Sequence, residues 1–239
     1  MKQRLDQQLA ARGLVASRSQ AESYVRMGQV KVNGKVVTKT GTPVSETDSI
    51  IVTAEQQYVS RAALKLASVA QVLNVKFNNT VVLDVGSSTG GFTQYALMQG
   101  AKKVIAVEVG TDQLHPALQG DPRIELHEKT DIRNFTTDQK IDVVVADVSF
   151  ISLREILPSV AKLCNPKTQI AVMVKPQFEA AVSSLKHKGV IKNDKMRRDI
   201  LKDFEAWAQQ RFVIIDKADS QVSGAKGNQE RFYLLRLVQ

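Results

Sequence analysis

Cysteine is nearly missing from this chain of 239 residues: there is one, Cys164, and only three histidines accompany it. A single thiol builds no disulfide framework, and so thin a set of soft ligands builds no tetrahedral metal centre. A reducing, cytoplasmic setting fits that composition. Long apolar runs are missing too. None approaches the roughly 20 residues that a membrane span needs, and the opening stretch MKQRLDQQLAARG is too polar for a secretory signal. Acid is scarce relative to base: 33 Lys and Arg against 24 Asp and Glu leave a formal net charge of +9. A polyanion suits this excess, because each phosphate neutralised by a basic side chain releases counterions. There is no internal repeat and no low-complexity tract. What remains is 43% apolar residues, ample for a core, in a length that suits a medium domain plus a small one.

Residues 1–52 read as the small one, with eight basic and four acidic side chains. RLDQQLAARG predicts a short amphipathic helix with Leu5 and Leu9 on one face, stopped by Gly13. A second helix follows, with Ser17 and Gln20 at capping-box spacing and Gly28 at its C-terminal end. Alternating apolar residues around Asn33-Gly34 then predict a hairpin. Arg4, Arg12, Arg18, Arg26, Lys31 and Lys35 are the candidate RNA-binding residues of this unit.

A polar linker over 53–58 leads into the larger unit, 59–239. Strands are expected at 80–85, 103–109, 123–127, 141–147, 169–174, 212–218 and 231–237, and helices near 60–73, 91–99, 111–119, 152–164 and 194–209. Near-continuous runs such as IDVVVAD and QIAVMV suit strands covered on both faces. The fold class is therefore α/β: a seven-stranded, mostly parallel, Rossmann-like sheet with helices on both faces, preceded by a small α+β domain.

In VVLDVGSSTGGFTQ a strand runs into a glycine loop and a helix. The spacing is not the G-x-G-x-x-G of a dinucleotide site. Gly86 is followed, after three intervening residues, by Gly90-Gly91, and Asp84 stands just before. An anion would be repelled by Asp84, whereas S-adenosylmethionine carries an ammonium, a sulfonium and no phosphate. Glu108, 22 residues after Gly86, is positioned to accept from ribose hydroxyls, and Asp131 from the adenine amino group. Asp84, Gly86, Ser88, Gly90, Gly91, Phe92, Glu108 and Asp131 are the candidate cofactor-binding residues.

The acceptor is narrowed by what the fourth strand and Cys164 lack. ADVSFISL is not the Asn-Pro-Pro-aromatic pattern of amino-group methylation, and Cys164, at a helix end, suits buried filler better than the nucleophile of carbon methylation. Left on the same rim are Lys65, Asp147 ending the fourth strand, Lys175 ending the fifth, and Glu230 opening a last strand that would run antiparallel.

Two resemblances bear on these residues. RLDQQLAARGLVASRSQAESYVRMGQVKVNGKVV resembles an S-four-type RNA-binding domain. Over essentially the whole chain, the segments VSR..LKL, DVGSSTGGFT, ADVSFISL, VKPQFE and KGNQE resemble the haemolysin-A (TlyA-type) family of ribosomal RNA 2′-O-methyltransferases, whose catalytic domain is FtsJ-like. That resemblance implies S-adenosylmethionine as donor, rRNA or a ribosomal subunit as partner, and a catalytic tetrad falling on Lys65, Asp147, Lys175 and Glu230. Lys175 would act on the hydroxyl as base or orienting group, Lys65 would steady the developing oxyanion, and the carboxylates would hold the lysines. The chain departs from the family pattern at Ala62-Ala63, where glycines are usual, at Glu108 in place of Asp, and in a short 180–194 stretch. Rival readings are a catalytically impaired RNA-binding protein, a membrane-active cytolysin and a pseudouridine synthase. The tetrad speaks against the first, the lack of a spanning segment against the second, and the methyl-donor loop against the third. Oligomeric state is not encoded in any pattern of the chain.

Overall fold

The computed structural model describes residues 2–15, 17–53, 58–180, 189–191, 193–224 and 227–238. Most of the linker at 53–58 and of the short stretch at 180–194 lies outside the described residues.

The small unit begins with β1 (Gln3–Arg4), α1 (Leu5–Ala11) and α2 (Arg18–Arg26). It continues through β2 (Val30–Val32), β3 (Lys35–Val36), β4 (Pro43–Val44) and β5 (Ile50–Val52). Leu5 and Leu9 point inward together and meet Tyr24, Val25 and Val30 in one core. Ser17 caps α2 by accepting from the Gln20 N–H at 3.2 Å. Asn33 and Gly34 both take positive φ, +49° and +79°, the twist a two-residue hairpin turn requires. Beyond the expected hairpin, β5 pairs with β2 and completes a three-stranded sheet, and β1 pairs with β4.

The large unit holds α3 (Arg61–Ala70), β6 (Val81–Val85), α4 (Gly91–Met98), β7 (Lys103–Val107), β8 (Ile124–His127) and β9 (Val143–Ala146). After these come α5 (Leu153–Lys162), β10 (Gln169–Val174), α6 (Pro176–Glu179), α7 (Asp194–Ala208), β11 (Phe212–Asp219) and β12 (Arg231–Leu237). The seven strands lie in the order β11-β12-β10-β9-β6-β7-β8, and β12 alone runs antiparallel to its neighbours. The period of two along each strand divides the apolar residues between two cores. Leu83, Val85, Val144, Val172 and Val174 face α5 and α7; Val82, Val143, Val145, Ala171 and Met173 face α3 and α4.

One expected element is corrected. The helix predicted at 111–119 is only a single 3-10 turn, Pro116–Leu118. Asp112 takes φ +53°, and Pro116 forces extended backbone on His115 and has no N–H to continue a helix. The small α6 was not expected.

Candidate active site

The parallel strands deliver their carboxyl ends to one edge, and the turns leaving it hold the residues singled out above. Gly86 follows β6 with φ +78°, and a Cβ there would lie 2.8 Å from the Asp147 carbonyl oxygen, so the two strand ends meet through bare backbone. On one side of this contact is a cavity of about 420 Å³, lined by Ser88, Glu108 and Asp131 and by apolar Val107, Ile132 and Ile156. On the other is a cavity of about 390 Å³, lined by Ser17, Arg61, Lys65, Phe92 and Lys175. Gly86, Ser88, Asp147 and Ser149 line both.

Asp84 lies fully buried beneath the glycine loop. Its Oδ2 accepts from the Thr93 hydroxyl at 2.6 Å, while its Oδ1 has no hydrogen-bond partner. Burial pushes this carboxyl up to about 7, against the pull of Thr93 and with a further push from Asp147 and Glu108. A buried acceptor left without a donor is unfavourable, and an ammonium at the loop would satisfy it. Glu108 is also buried. Its Oε2 accepts from the Ser88 N–H at 2.9 Å and its Oε1 from the Gly110 N–H at 2.8 Å and the Gln113 amide at 3.4 Å. A carboxylate has about four acceptor positions, so Glu108 ties the glycine loop to the turn after β7 and retains some capacity for a hydroxyl. Asp131 is gripped by Arg133 at 2.6 Å, which holds its carboxyl below the usual range. The chemistry of this cavity (the Glu108 and Asp131 carboxylates beside an apolar slot), with the unpaired Asp84 carboxylate buried beneath its glycine loop, fits S-adenosylmethionine.

Four expected cofactor residues are arranged otherwise. Asp84, fully buried, lines neither cavity. Gly90 and Gly91 do not line the donor-side cavity: a Cβ on Gly90 would strike Leu114 and Leu118, and one on Gly91 would collide with Ser60, Ala62 and Ala63. Both are glycines for close packing. Phe92 lines the second cavity, with its ring 6.0 Å from that of Phe232 in the core under α3 and α4.

The four rim residues converge as two ion pairs. Lys65 Nζ lies 2.6 Å from Glu230 Oε2, and Lys175 Nζ lies 2.6 Å from Asp147 Oδ1. Burial raises the Glu230 carboxyl, Lys65 opposes that rise, and Asp147 and Lys175 act on it as well, so the pairs form one electrostatic unit. Lys175 Nζ also donates to Ser149 Oγ at 2.7 Å. Asn228 holds the backbone just before Glu230 to Gly189 and Ile191 at 3.0 and 2.8 Å. Cys164 is remote from the rim; burial pushes its thiol up to about 12.

The basic residues of the small unit divide by what they touch. Arg12 donates to the carbonyls of Ser45, Glu46 and Asp48 at 2.8 to 3.2 Å. Arg4 and Arg18 clasp the fully buried Asp6 at 2.9 and 2.8 Å; burial pushes the Asp6 carboxyl up, and the two guanidiniums outweigh it. Arg26 and Lys35 are exposed and Lys31 is half-buried.

Sequence reasoning passed over Ser17, Arg61, Ser149 and Phe150, all at the cavities. Phe150 is 92% exposed with φ +65°, a backbone state that no glycine or asparagine announces. Among the described residues, no group of three or more His, Cys, Asp or Glu could hold a metal ion, and no helix is long and apolar enough to cross a membrane.

Comparison with known proteins finds two matching segments in the chain. Residues 58–237 match the family model described as FtsJ-like methyltransferase, and residues 3–50 match the S4 domain. The 16S/23S rRNA (cytidine-2′-O)-methyltransferase TlyA of Mycobacterium tuberculosis is 35% identical, over 98% of this chain and 89% of that protein. Hemolysin A of Brachyspira hyodysenteriae is 36% identical, over 98% and 99%. A solved structure described as a hemolysin, from Streptococcus thermophilus, superposes with a TM-score of 0.73 at 33% identity, over 100% of this chain and 89% of that one.

Proposed function

The chain belongs to the haemolysin-A (TlyA-type) family of FtsJ-like methyltransferases, and from that premise we propose its activity: S-adenosylmethionine-dependent methyl transfer to a ribose 2′-hydroxyl of ribosomal RNA. The observation that carries the reading is the pair of cavities meeting at Gly86 and Asp147, with Lys175 on the side away from Glu108. One cavity suits the donor and the other the acceptor, and their shared wall is where a methyl group would cross.

S-adenosylmethionine, when bound, supplies a methyl group already activated on a sulfonium, so much of the protein's task is alignment. Asp84 Oδ1 offers a carboxylate to the ammonium, Glu108 offers one to the ribose, and Asp131 lies where the adenine would end. On the acceptor side, Lys175 donates to Ser149 Oγ and is ion-paired with Asp147. Its ammonium also lines the acceptor cavity, where it can donate to the acceptor oxygen. Lys175 orients the 2′-hydroxyl in this way, and the Asp147 carboxylate beside it, whose Oδ1 has no hydrogen-bond donor, accepts the hydroxyl proton as the new C–O bond forms. Lys65, held by Glu230, steadies the negative charge that develops on oxygen. The exposed Arg26 and Lys35 and the half-buried Lys31 are the phosphate contacts that set the register of the RNA; Arg12 serves the domain's own architecture.

The test is transfer of labelled methyl from S-adenosylmethionine to rRNA or ribosomal subunits, followed by mapping of 2′-O-methyl positions. Lys175→Ala should lower single-turnover transfer by about two to four decades, the range of a lost acid–base group, with donor affinity retained. Wild-type turnover in that variant would remove Lys175 from the reaction.

A further inference from the structure

Glu179 is a buried carboxylate that the reaction above does not use. It is 1% exposed, at the last position of α6, four residues after Lys175. Its Oε2 accepts from the Ser152 hydroxyl at 2.6 Å and its Oε1 from the Leu153 N–H at 2.8 Å, and Arg154 Nε lies 3.5 Å away. These three groups form the N-terminus of α5, where Ser152 is the cap. They also end the loop that leaves β9 and carries Asp147 and Ser149.

The contacts close a ring between two loops. At one end, Lys175 Nζ reaches across to Asp147 and Ser149. At the other, Glu179 reaches across to Ser152 and Leu153. Between the ends, the chain runs 147–152 on one side and 175–179 on the other, and α6 is tied back by the Glu179 N–H to the Lys175 carbonyl at 3.3 Å. A carboxylate withdrawn from water is unfavourable unless its partners replace the hydration. Here those partners are a hydroxyl, a helix N-terminal N–H and a guanidinium, all belonging to the loop whose other end holds the Lys175 ammonium.

We infer that Glu179 is a positioning residue for Lys175: it staples the Lys175 turn to the Asp147–Ser152 loop and thereby fixes where the lysine meets the acceptor oxygen. This rests on the methyl-transfer reading above. Glu179 touches neither cavity among the described residues, so its effect reaches the reaction only through that geometry.

The test compares Glu179→Ala, Glu179→Gln and Ser152→Ala in single-turnover transfer at saturating rRNA and donor, each also in a Lys175→Ala background. A displacement of about 1 Å at a reacting group can cost on the order of a hundredfold, so Glu179→Ala should lose about ten- to a hundredfold in rate. Glu179→Gln keeps an acceptor for the Leu153 N–H and can donate to Ser152 Oγ, and should recover to within about threefold. In the Lys175→Ala background, removing Glu179 should cost at most about twofold, because groups acting through one another are not additive. Wild-type rates in Glu179→Ala, or the same fold-loss in both backgrounds, would overturn the inference. Should Glu179→Ala not fold, Ser152→Ala decides: it removes one hydrogen bond of the staple and should give a smaller loss with the same non-additivity, and wild-type turnover there overturns the staple. Absence of rRNA methylation by the wild-type protein would instead defeat the functional reading on which it rests.

Discussion

Asp84 sets burial against charge within a single carboxyl. With its ionisation raised from 3.8 to about 7 by burial, the group is half protonated near neutrality until a cation arrives. A cationic donor binds the ionised form, so donor affinity should rise with pH up to about 7 and fall by about tenfold per unit below it. Calorimetric titration with S-adenosylmethionine between about pH 5 and 8 measures this, and Asp84→Asn should weaken binding and flatten the slope. The ligand-free protein should behave in the opposite sense. A folded-state value above the unfolded one means the native chain holds the proton more tightly, so this group's contribution to stability grows as pH falls from about 7 toward 4. Thermal unfolding of Asp84→Asn should lack that component. A donor affinity independent of pH across this range would show that the ammonium lies elsewhere.

At the scale of elements, the packing of α3 on α4 governs the glycine loop. The Ala62-Ala63 pair, where family members usually have glycines, packs on Gly91 at the first turn of α4, where only a hydrogen fits, and Ala62 also lines the cavity that holds Lys65 and Lys175. Gly91→Ala should therefore destabilise the fold by about 1–3 kcal/mol, as overpacking does, and lower donor affinity by pushing the loop away from α3. Unfolding midpoints and donor titration check both, and an unchanged midpoint would mean that α3 yields freely. The same elements mark how far the sequence could be read. Strands β6, β7, β9 and β10 were legible because Val and Ile runs bounded by Gly, Asp and Pro leave few alternatives, and Asp147, Lys175 and Glu230 were legible as rim residues because each stands one position outside a strand. The 111–119 segment misled because a helical apolar spacing was countermanded by Pro116 and by Asp112 at positive φ. β1 and β4 are two residues each and acquire their pairing from 40 residues apart, which no local pattern encodes. The Glu108 contacts to Ser88 and Gly110, and the Glu179 staple, depend on side chains meeting across turns and were invisible for the same reason.

At the scale of the whole molecule, the S4 domain is packed against the methyltransferase domain beside the cavity that holds Lys65 and Lys175. Leu64 of α3 and Val222 are buried in its core, the Gln20 side chain donates to the Tyr58 carbonyl, and Ser17 lines the same cavity as Lys65 and Lys175. Deleting residues 1–52 would strip the cover from Leu64 and Val222 as well as removing cations, so a truncation confounds docking with folding. Point changes separate the two. Reversing Arg26, Lys31 and Lys35 to Glu leaves the domain's internal hydrogen bonds in place and should weaken rRNA binding. Each phosphate that is no longer neutralised should flatten the plot of log affinity against log salt by about 0.7–0.9. The unfolding midpoint and the donor affinity should hold. Arg12→Ala should do the reverse. It frees the carbonyls of Ser45, Glu46 and Asp48 and should lower the midpoint while leaving the salt slope nearly unchanged. Binding isotherms at two or more salt concentrations, set beside thermal melts of the same variants, read out both effects. If the triple reversal and Arg12→Ala altered the salt slope equally, the division of these residues into phosphate contacts and internal clamp would be wrong, and Arg12 would have to leave the Ser45–Asp48 loop to reach RNA.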